Sequence, residues 1–464
     1  MTHPVAQSFH FIAIGGAAMH NLALALHQNG AVITGSDDEI NEPSRSRLAA
    51  AGLLPPVIGW FPEKLHAGIS AVILGMHARA DNTELAAAKQ LGIPVFSYPE
   101  FLYEQSKNKL RVVIGGSHGK TTITSMILHV LRVANLDFDY MVGAKLEGFD
   151  TMVKISNAPI IILEGDEYLS SPIDRRPKFH LYHANIGLIS GIAWDHVNVF
   201  PTFENYVEQF KIFANQLPHT GTLIYCSEDV DVSSVANQTV SPATKRPYGV
   251  PSHRIDNGVT VLQTAVGDVP LQVFGKHNLM NLEGARAVCE LLGVTAATFY
   301  EAIGSFKGAA RRLELLSRND HVAVFKDFAH SPSKLRATTE AVRQQFPNRK
   351  LIACMELHTF SSLNESFLDE YNGTLAVADI AMVYYNPHTI EHKKLPPISI
   401  NRVERAFAKN GLRVYTDSTI LKADLLAMNF SNAAVLLMSS GNFDGLSLEA
   451  IAQEIAEKSH VANS

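Results

Sequence analysis

The chain has 464 residues and a formal charge of −6, and it is 46% hydrophobic and 18% charged. That apolar content excludes a disordered chain and supplies cores for roughly two to four domains of ordinary size. The mild acidity excludes any global pull toward nucleic acid or anionic lipid, so phosphate chemistry has to come from local sites.

Cys226, Cys289 and Cys354 are far apart and have no C-x-x-C spacing. Neither a disulfide framework nor a thiolate zinc site is expected, and a reducing cytoplasm is. The opening MTHPVAQSFHFIAIGGAAMH shows no basic targeting region. No apolar run approaches the ~18 residues of a membrane span, so the expected protein is soluble, with no membrane and no nucleic acid as partner.

In chain order, Phe9–Ile14 reads as a buried strand and Gly15-Gly16 as the turn after it. Met19, Leu22, Ala23 and Leu26 follow at i, i+3, i+4 and i+7, one apolar helix face. Ala31–Thr34 returns as a strand ending in Gly35-Ser36-Asp37-Asp38. Ala71–Gly75 and Pro94–Ser97 read as further strands, and polar Glu104–Lys109 as a linker. Gly15-Gly16 is only a fragment of G-x-G-x-x-G, because Ala13 and Ala18 fill two of its glycine positions. A plain dehydrogenase is therefore a poor reading, although Asp37 lies about 20 residues on, where a ribose hydroxyl is held.

A second segment opens with the strand Leu110–Ile114 and Gly115-Gly116-Ser117-His118-Gly119-Lys120-Thr121-Thr122, then a helix with Ile123, Met126, Ile127, Val130 and Leu131 on one face. Glycines let backbone approach a polyphosphate, and amides at a helix N-terminus form an anion nest. Lys120 supplies a point charge to the phosphates and Thr121 a hydroxyl to Mg²⁺, although Ile114 replaces the first glycine of G-x-x-x-x-G-K-[ST]. Next come the strand Pro159–Leu163 and the cluster Glu164-Gly165-Asp166-Glu167. This is either a solvated turn or, with Glu164 nearest the strand, a source of hard oxygen ligands. Ile186–Ile192 is another strand, and Asp195-His196 follows its end. His196 is a structural histidine or a site residue, and imidazole is an unusual ligand for Mg²⁺.

In His277-Asn278-Leu279-Met280-Asn281, Asn278 is a helix N-cap, or both asparagines face a nucleotide. From about Gly308 a third segment carries strands at Val322–Phe325, Leu351–Met355, Ile380–Tyr384 and Ala433–Met438. Arg311-Arg312 is a phosphate clamp or a surface pair. Asp327 and His330 sit at a strand end, before a helix from Ser331-Pro332 through Gln345. Strand–helix alternation throughout predicts α/β architecture with parallel sheets.

The ordered set GGSHGKTT, EGDEY, DH, HNLMN, GAARRLE and DFAHSP resembles the Mur ligase family over nearly the whole chain. The resemblance implies three domains: a Rossmann-like UDP-sugar domain over 1–108, a P-loop ATPase domain over 109–307 and a Rossmann-like domain over 308–464 that closes over the site. It implies ATP and Mg²⁺ as cofactors. Gly116, Ser117, His118, Gly119, Lys120, Thr121, Thr122, Asn278, Asn281 and Arg312 would lie on the nucleotide, and Thr121, Glu164 and His196 on the metal. Gly15, Gly16, Ala17, Met19 and Asp37 would lie on the UDP-sugar. Lys120, His196, Arg312, Asp327 and His330 would be catalytic, with Asp327 and His330 orienting or deprotonating the amine. The implied reaction phosphorylates the carboxylate of UDP-N-acetylmuramate and joins it to an amine. EGDEY, DRRPKF and DFAHSP are similar to the branch that adds a murein peptide (L-alanyl-γ-D-glutamyl-meso-diaminopimelate). L-alanine is the alternative acceptor.

Overall fold

The computed structural model describes residues 7–146, 148–149, 151–196, 198–256, 258–308 and 312–461. Its contacts divide the chain into two compact units. The first comprises residues 1–194, 198–249 and 284–295, and the second residues 195–197, 250–283 and 296–464.

The first unit holds two sheets. β1 (Ser8–Ile12), β2 (Val32–Ser36), β3 (Ala71–Leu74) and β4 (Val95–Ser97) form a four-stranded parallel sheet in the order 2-1-3-4. The helix α1 (Ala17–Gln28) follows β1, and the predicted face of Met19, Leu22, Ala23 and Leu26 is buried. Only the first half of the predicted linker, Glu104–Ser106, is helical, as the end of the helix Tyr98–Ser106 that Ser97 and Glu100 cap reciprocally. That capping box supplies a partner to both Ser97 and Glu100 amides, which outweighs the polarity of the segment.

The second sheet has seven strands. They are β5 (Leu110–Gly115), β6 (Asp139–Met141), β7 (Val153–Lys154), β8 (Ile160–Glu164), β9 (Ile186–Ile189), β10 (Thr222–Cys226) and β11 (Thr244–Tyr248), in the order 11-10-9-5-8-6-7. Only the β6–β7 pairing is antiparallel. β5 lies between β8 and β9, and Ile114 is opposite both Glu164 and Leu188. The chain order reverses across β5, and in open α/β sheets such a switch point is where ligands bind. α2 (Lys120–Val133) buries the predicted face of Ile123, Met126, Ile127, Val130 and Leu131 completely. α3 (Phe203–Asn215) adds Phe213, stacked at 4.8 Å on Phe179 over β9. β11, with the sequence TKRPY, forms one edge.

The second unit contains an antiparallel meander of β12 (His253–Asp256), β13 (Val259–Thr264) and β14 (Gly267–Pro270). Its six-stranded sheet has the order 15-16-20-17-18-19. The strands are β15 (Glu314–Arg318), β16 (Val322–Asp327), β17 (Lys350–Leu357), β18 (Ile380–Tyr385), β19 (Arg413–Tyr415) and β20 (Ala433–Met438), parallel except for β15 against β16. Alternate residues of β17 enter opposite cores: Leu351, Ala353 and Met355 lie on one face, Ile352 and Cys354 on the other. This period of two is what a sheet covered on both sides requires. α4 (Lys276–Leu291) begins in this unit, and α5 (Pro332–Gln345) follows β16 within it. Ser331 occupies the predicted N-cap of α5 with Pro332 first in the helix, but its hydroxyl makes no cap bond.

No helix among the described residues is long and apolar enough to cross a membrane. Truncating Phe213 to alanine should open a cavity beneath β9 and lower unfolding free energy by roughly 3–5 kcal/mol, read as an earlier denaturant midpoint.

Candidate active site

The centre of the first unit's larger sheet ends in a turn only glycine can make. Gly116 has φ of +134°, and a Cβ there would lie 2.1 Å from Ser190 Oγ. The loop is docked on the end of β9: Ser190 N–H donates to Gly115 O at 3.0 Å, and Ser117 N–H to Gly191 O at 2.9 Å. The Ser190 hydroxyl donates to His118 O. Gly119, with φ of +81°, then turns the chain into α2, whose first residue is Lys120. The amides opening α2 thus sit at the carboxyl end of the sheet, a site suited to phosphate. The donors, the absent side chain at Gly116 and the adjoining cation fit a polyphosphate group.

Lys120 Nζ donates to Gly116 O at 2.5 Å and to Glu167 Oε2 at 2.6 Å. Burial alone would lower its pKa, but the charges of Glu167, Asp166 and Glu164 outweigh burial and hold it above the usual value. Glu164, at the end of β8, accepts from Thr121 Oγ1 at 2.8 Å on one oxygen and from Gly143 N–H at 2.7 Å on the other. A hydroxyl and a carboxylate in contact form an oxygen donor set of the kind Mg²⁺ takes. Asp166 accepts from Lys178 Nζ at 2.5 Å, and its charge also acts on Lys120.

In the smaller sheet, Asp37 is not a free ribose acceptor. It is 4% exposed, and its carboxylate accepts from Gly15 N–H at 2.6 Å, Asp38 N–H at 2.9 Å and Glu39 N–H at 3.4 Å. Burial raises its pKa against those amides. The carboxylate therefore shapes the Gly15-Gly16 turn. Gly16 is the N-cap of α1 and Ala17 is exposed beside it, but Met19 is a core residue, 4% exposed. Its apolar spacing on α1 is the face the sheet covers.

The second unit carries the remaining predicted residues. Asn278 lies inside the first turn of α4, not at its cap, and its Nδ2 donates back to Phe274 O at 2.9 Å. Asn281 is one turn further on and buried. Arg311 lies outside the described residues. The Arg312 guanidinium stacks 4.6 Å from the Phe328 ring. Asp327 is buried and accepts from Leu313 N–H at 2.6 Å, Ala329 N–H at 2.7 Å and Thr338 Oγ1 at 3.3 Å. Burial raises its pKa despite the opposing Arg312 and these donors. His196, with φ of +54°, donates its amide to Asp195 Oδ1 at 2.8 Å, and Asp195 faces Lys334 at 3.7 Å.

His330 donates Nδ1–H to Phe328 O at 2.8 Å. Burial, then Lys334, push its pKa down to about 3. The imidazole is therefore neutral near neutral pH. Sequence reading missed Glu167 and Tyr206 as partners of the loop. Glu167 was visible only as one acid among three, and Tyr206 as one aromatic in an amphipathic helix. A separate cavity of about 390 Å³ lined by Arg132, Phe138 and Phe149 lies at the far end of α2, some 20 Å along the helix from Lys120.

An open parallel sheet with a glycine loop entering a helix, and a carboxylate on the next strand, defines an α/β enzyme of the phosphate-loop class. Three family models match in order: the Mur ligase family catalytic domain at residues 8–109, the Mur ligase middle domain at 114–289 and the Mur ligase glutamate ligase domain at 311–441. The UDP-N-acetylmuramate–L-alanine ligase of Sulfurihydrogenibium sp. (strain YO3AOP1) is 30% identical over 97% of this chain and 98% of its own. The chain belongs to the Mur ligase family, and it is an ATP-dependent ligase of peptidoglycan formation with that family's three-domain α/β fold. Two solved structures share the fold. The UDP-N-acetylmuramate–alanine ligase of Thermotoga maritima has a TM-score of 0.70 at 19% identity, covering 98% of this chain and 99% of its own. A murein peptide ligase of Psychrobacter arcticus 273-4 has a TM-score of 0.64 at 21% identity, covering 98% of each.

Unfolded imidazole titrates near 6.5 and folded His330 near 3, so the unfolded chain takes up this proton first and stability falls as pH drops through that window. Lys334 and Arg312 oppose the charge and Asp195 favours it. His330→Gln should flatten the acid side of a stability–pH curve by up to about 1.4 kcal/mol per pH unit between those values. A curve parallel to wild type would remove this assignment.

Proposed function

We propose that the protein joins the lactyl carboxylate of UDP-N-acetylmuramate to the amino group of L-alanine, using ATP in the cytoplasm. The observation that carries this reading is the match over almost the full chain to a relative named for that reaction. The murein-peptide acceptor is the second reading. It rests on the motifs Glu164–Tyr168 and Asp327–His330, and it has the weaker support of the two.

The domain boundaries proposed are 1–108 for the UDP-sugar, 109–307 for ATP and 308–464 for the C-terminal ligase domain. Gly116–Thr122 would grip the polyphosphate through amides and the Lys120 ammonium. Thr121 and Glu164 would hold Mg²⁺, which neutralises phosphate charge when bound. A carboxylate does not condense with an amine unaided, because its oxygen leaves poorly, and phosphorylation supplies the leaving group. Lys120 opposes charge that develops on the transferring group, where an oriented donor counts most. His330 and Asp327 would position the acceptor side, with Arg312 and the asparagines on the nucleotide.

ADP release and product mass, followed with UDP-N-acetylmuramate and either L-alanine or the tripeptide, separate the two readings. Turnover is expected with L-alanine, and turnover with tripeptide alone would replace it by the second. Lys120→Ala should cut amide formation at least about a hundredfold in a chain that still folds, although the unpaired Glu167 lowers its melting temperature.

A further inference from the structure

Glu167 is buried to 1% exposure, yet it carries a full set of charged and polar contacts directed at the phosphate loop. Its Oε2 holds Lys120 Nζ at 2.6 Å, and its Oε1 accepts from the Tyr206 hydroxyl at 2.9 Å. Because that hydroxyl has a single proton and gives it to Glu167, Ser117 Oγ must donate to the tyrosine oxygen, at 2.8 Å. Ser117 Oγ in turn accepts from Ala193 N–H at 2.9 Å. One buried carboxylate therefore ties two residues of the loop, Ser117 through Tyr206 and Lys120 directly. Tyr206 is fully buried against Phe200 and Phe210, so the clamp has little room to shift.

A buried carboxylate is tolerated beside a cation, and separating the two is costly. The Lys120 ammonium has three donors, and two are already placed on Glu167 and the Gly116 carbonyl. A phosphate oxygen seeking this ammonium must use the remaining donor or displace a partner. It also meets the negative charge of Glu167 a few ångströms away. We propose that Glu167 is a positioning residue of the phosphate loop: clamped by Tyr206, it aims the Lys120 ammonium and competes with a bound triphosphate for it. This deepens the proposed use of ATP and rests on it.

The two effects of the carboxylate are separable. Its charge works against nucleotide binding, while its fixed position serves the chemical step by holding the lysine where charge develops. Binding of a non-hydrolysable ATP analogue with Mg²⁺, measured calorimetrically, and steady-state kinetics in ATP read them apart. Glu167→Gln should bind the analogue several-fold tighter, lower kcat roughly tenfold, and leave KM for ATP unchanged or reduced. A merely structural role would instead weaken binding and lower the melting temperature together. Tyr206→Phe keeps the charge and loosens the clamp, so analogue affinity should stay within about twofold while kcat falls several-fold.

Weaker analogue binding by Glu167→Gln, or kcat equal to wild type, overturns the proposal. Should Glu167→Gln fail to fold, an unchanged kcat in Tyr206→Phe overturns it equally. Full activity in Lys120→Ala would instead refute the ATP reading of the loop, which keeps the two failures distinct.

Discussion

A peptide backbone pressed against its neighbour, with no room for one carbon atom, governs the seven-stranded sheet. Gly116 adopts a conformation that side chains disfavour, and Ser190 fills the space where its Cβ would be. That contact lets the strand end fold flat onto β9, so the loop amides and Lys120 come off the sheet at a fixed height. Glu164 reaches the same height from β8 because its register partner is Ile114, the last side chain before the loop. The relative placement of the backbones that carry Lys120, Thr121 and Glu164 is thus a property of the ladder. Such scaffolding is what positions polar groups without reorganisation when charge moves.

The smaller sheet uses a similar device for another end. Asp37 gathers the amides around the Gly15 turn, and a Cβ at Gly15 would come within 2.9 Å of its carboxylate. Its negative charge is spent on backbone, whereas Glu164 keeps a hydroxyl partner that a cation can share. Two strand-end carboxylates therefore differ in what they can do because of what already surrounds them. The same holds for His330, whose neutral ring is a consequence of burial beside Lys334.

Periodicity made much of the fold legible. The apolar faces of α1 and α2 and the strand Ala433–Met438 stand where their spacing put them. In the meander, β12 and β14 are short and largely exposed, and β11, with the sequence TKRPY, has no apolar run to mark it. At the site, the glycine–lysine loop was readable because φ and charge are local properties. Met19 lies on the buried face of α1, as its apolar spacing predicts. Asp37 and Asp327 were visible as acids at strand ends, but their amide partners depend on neighbouring strands and loops. Glu167 and Tyr206 are 39 residues apart, and nothing in either local sequence marks a hydrogen bond between them. The acceptor motifs pointed toward a peptide, while the full-length relative is named for L-alanine. Short patterns around Mg²⁺ and phosphate report on the shared chemistry more than on the amine that follows.

The outer margin of the seven-stranded sheet is guarded against strand addition. β11 exposes Lys245 and Pro247 along the open border of the sheet. Proline offers no amide to a visiting strand, and cationic side chains repel a like copy approaching edge to edge. A strand of this composition is a poor template for an added strand.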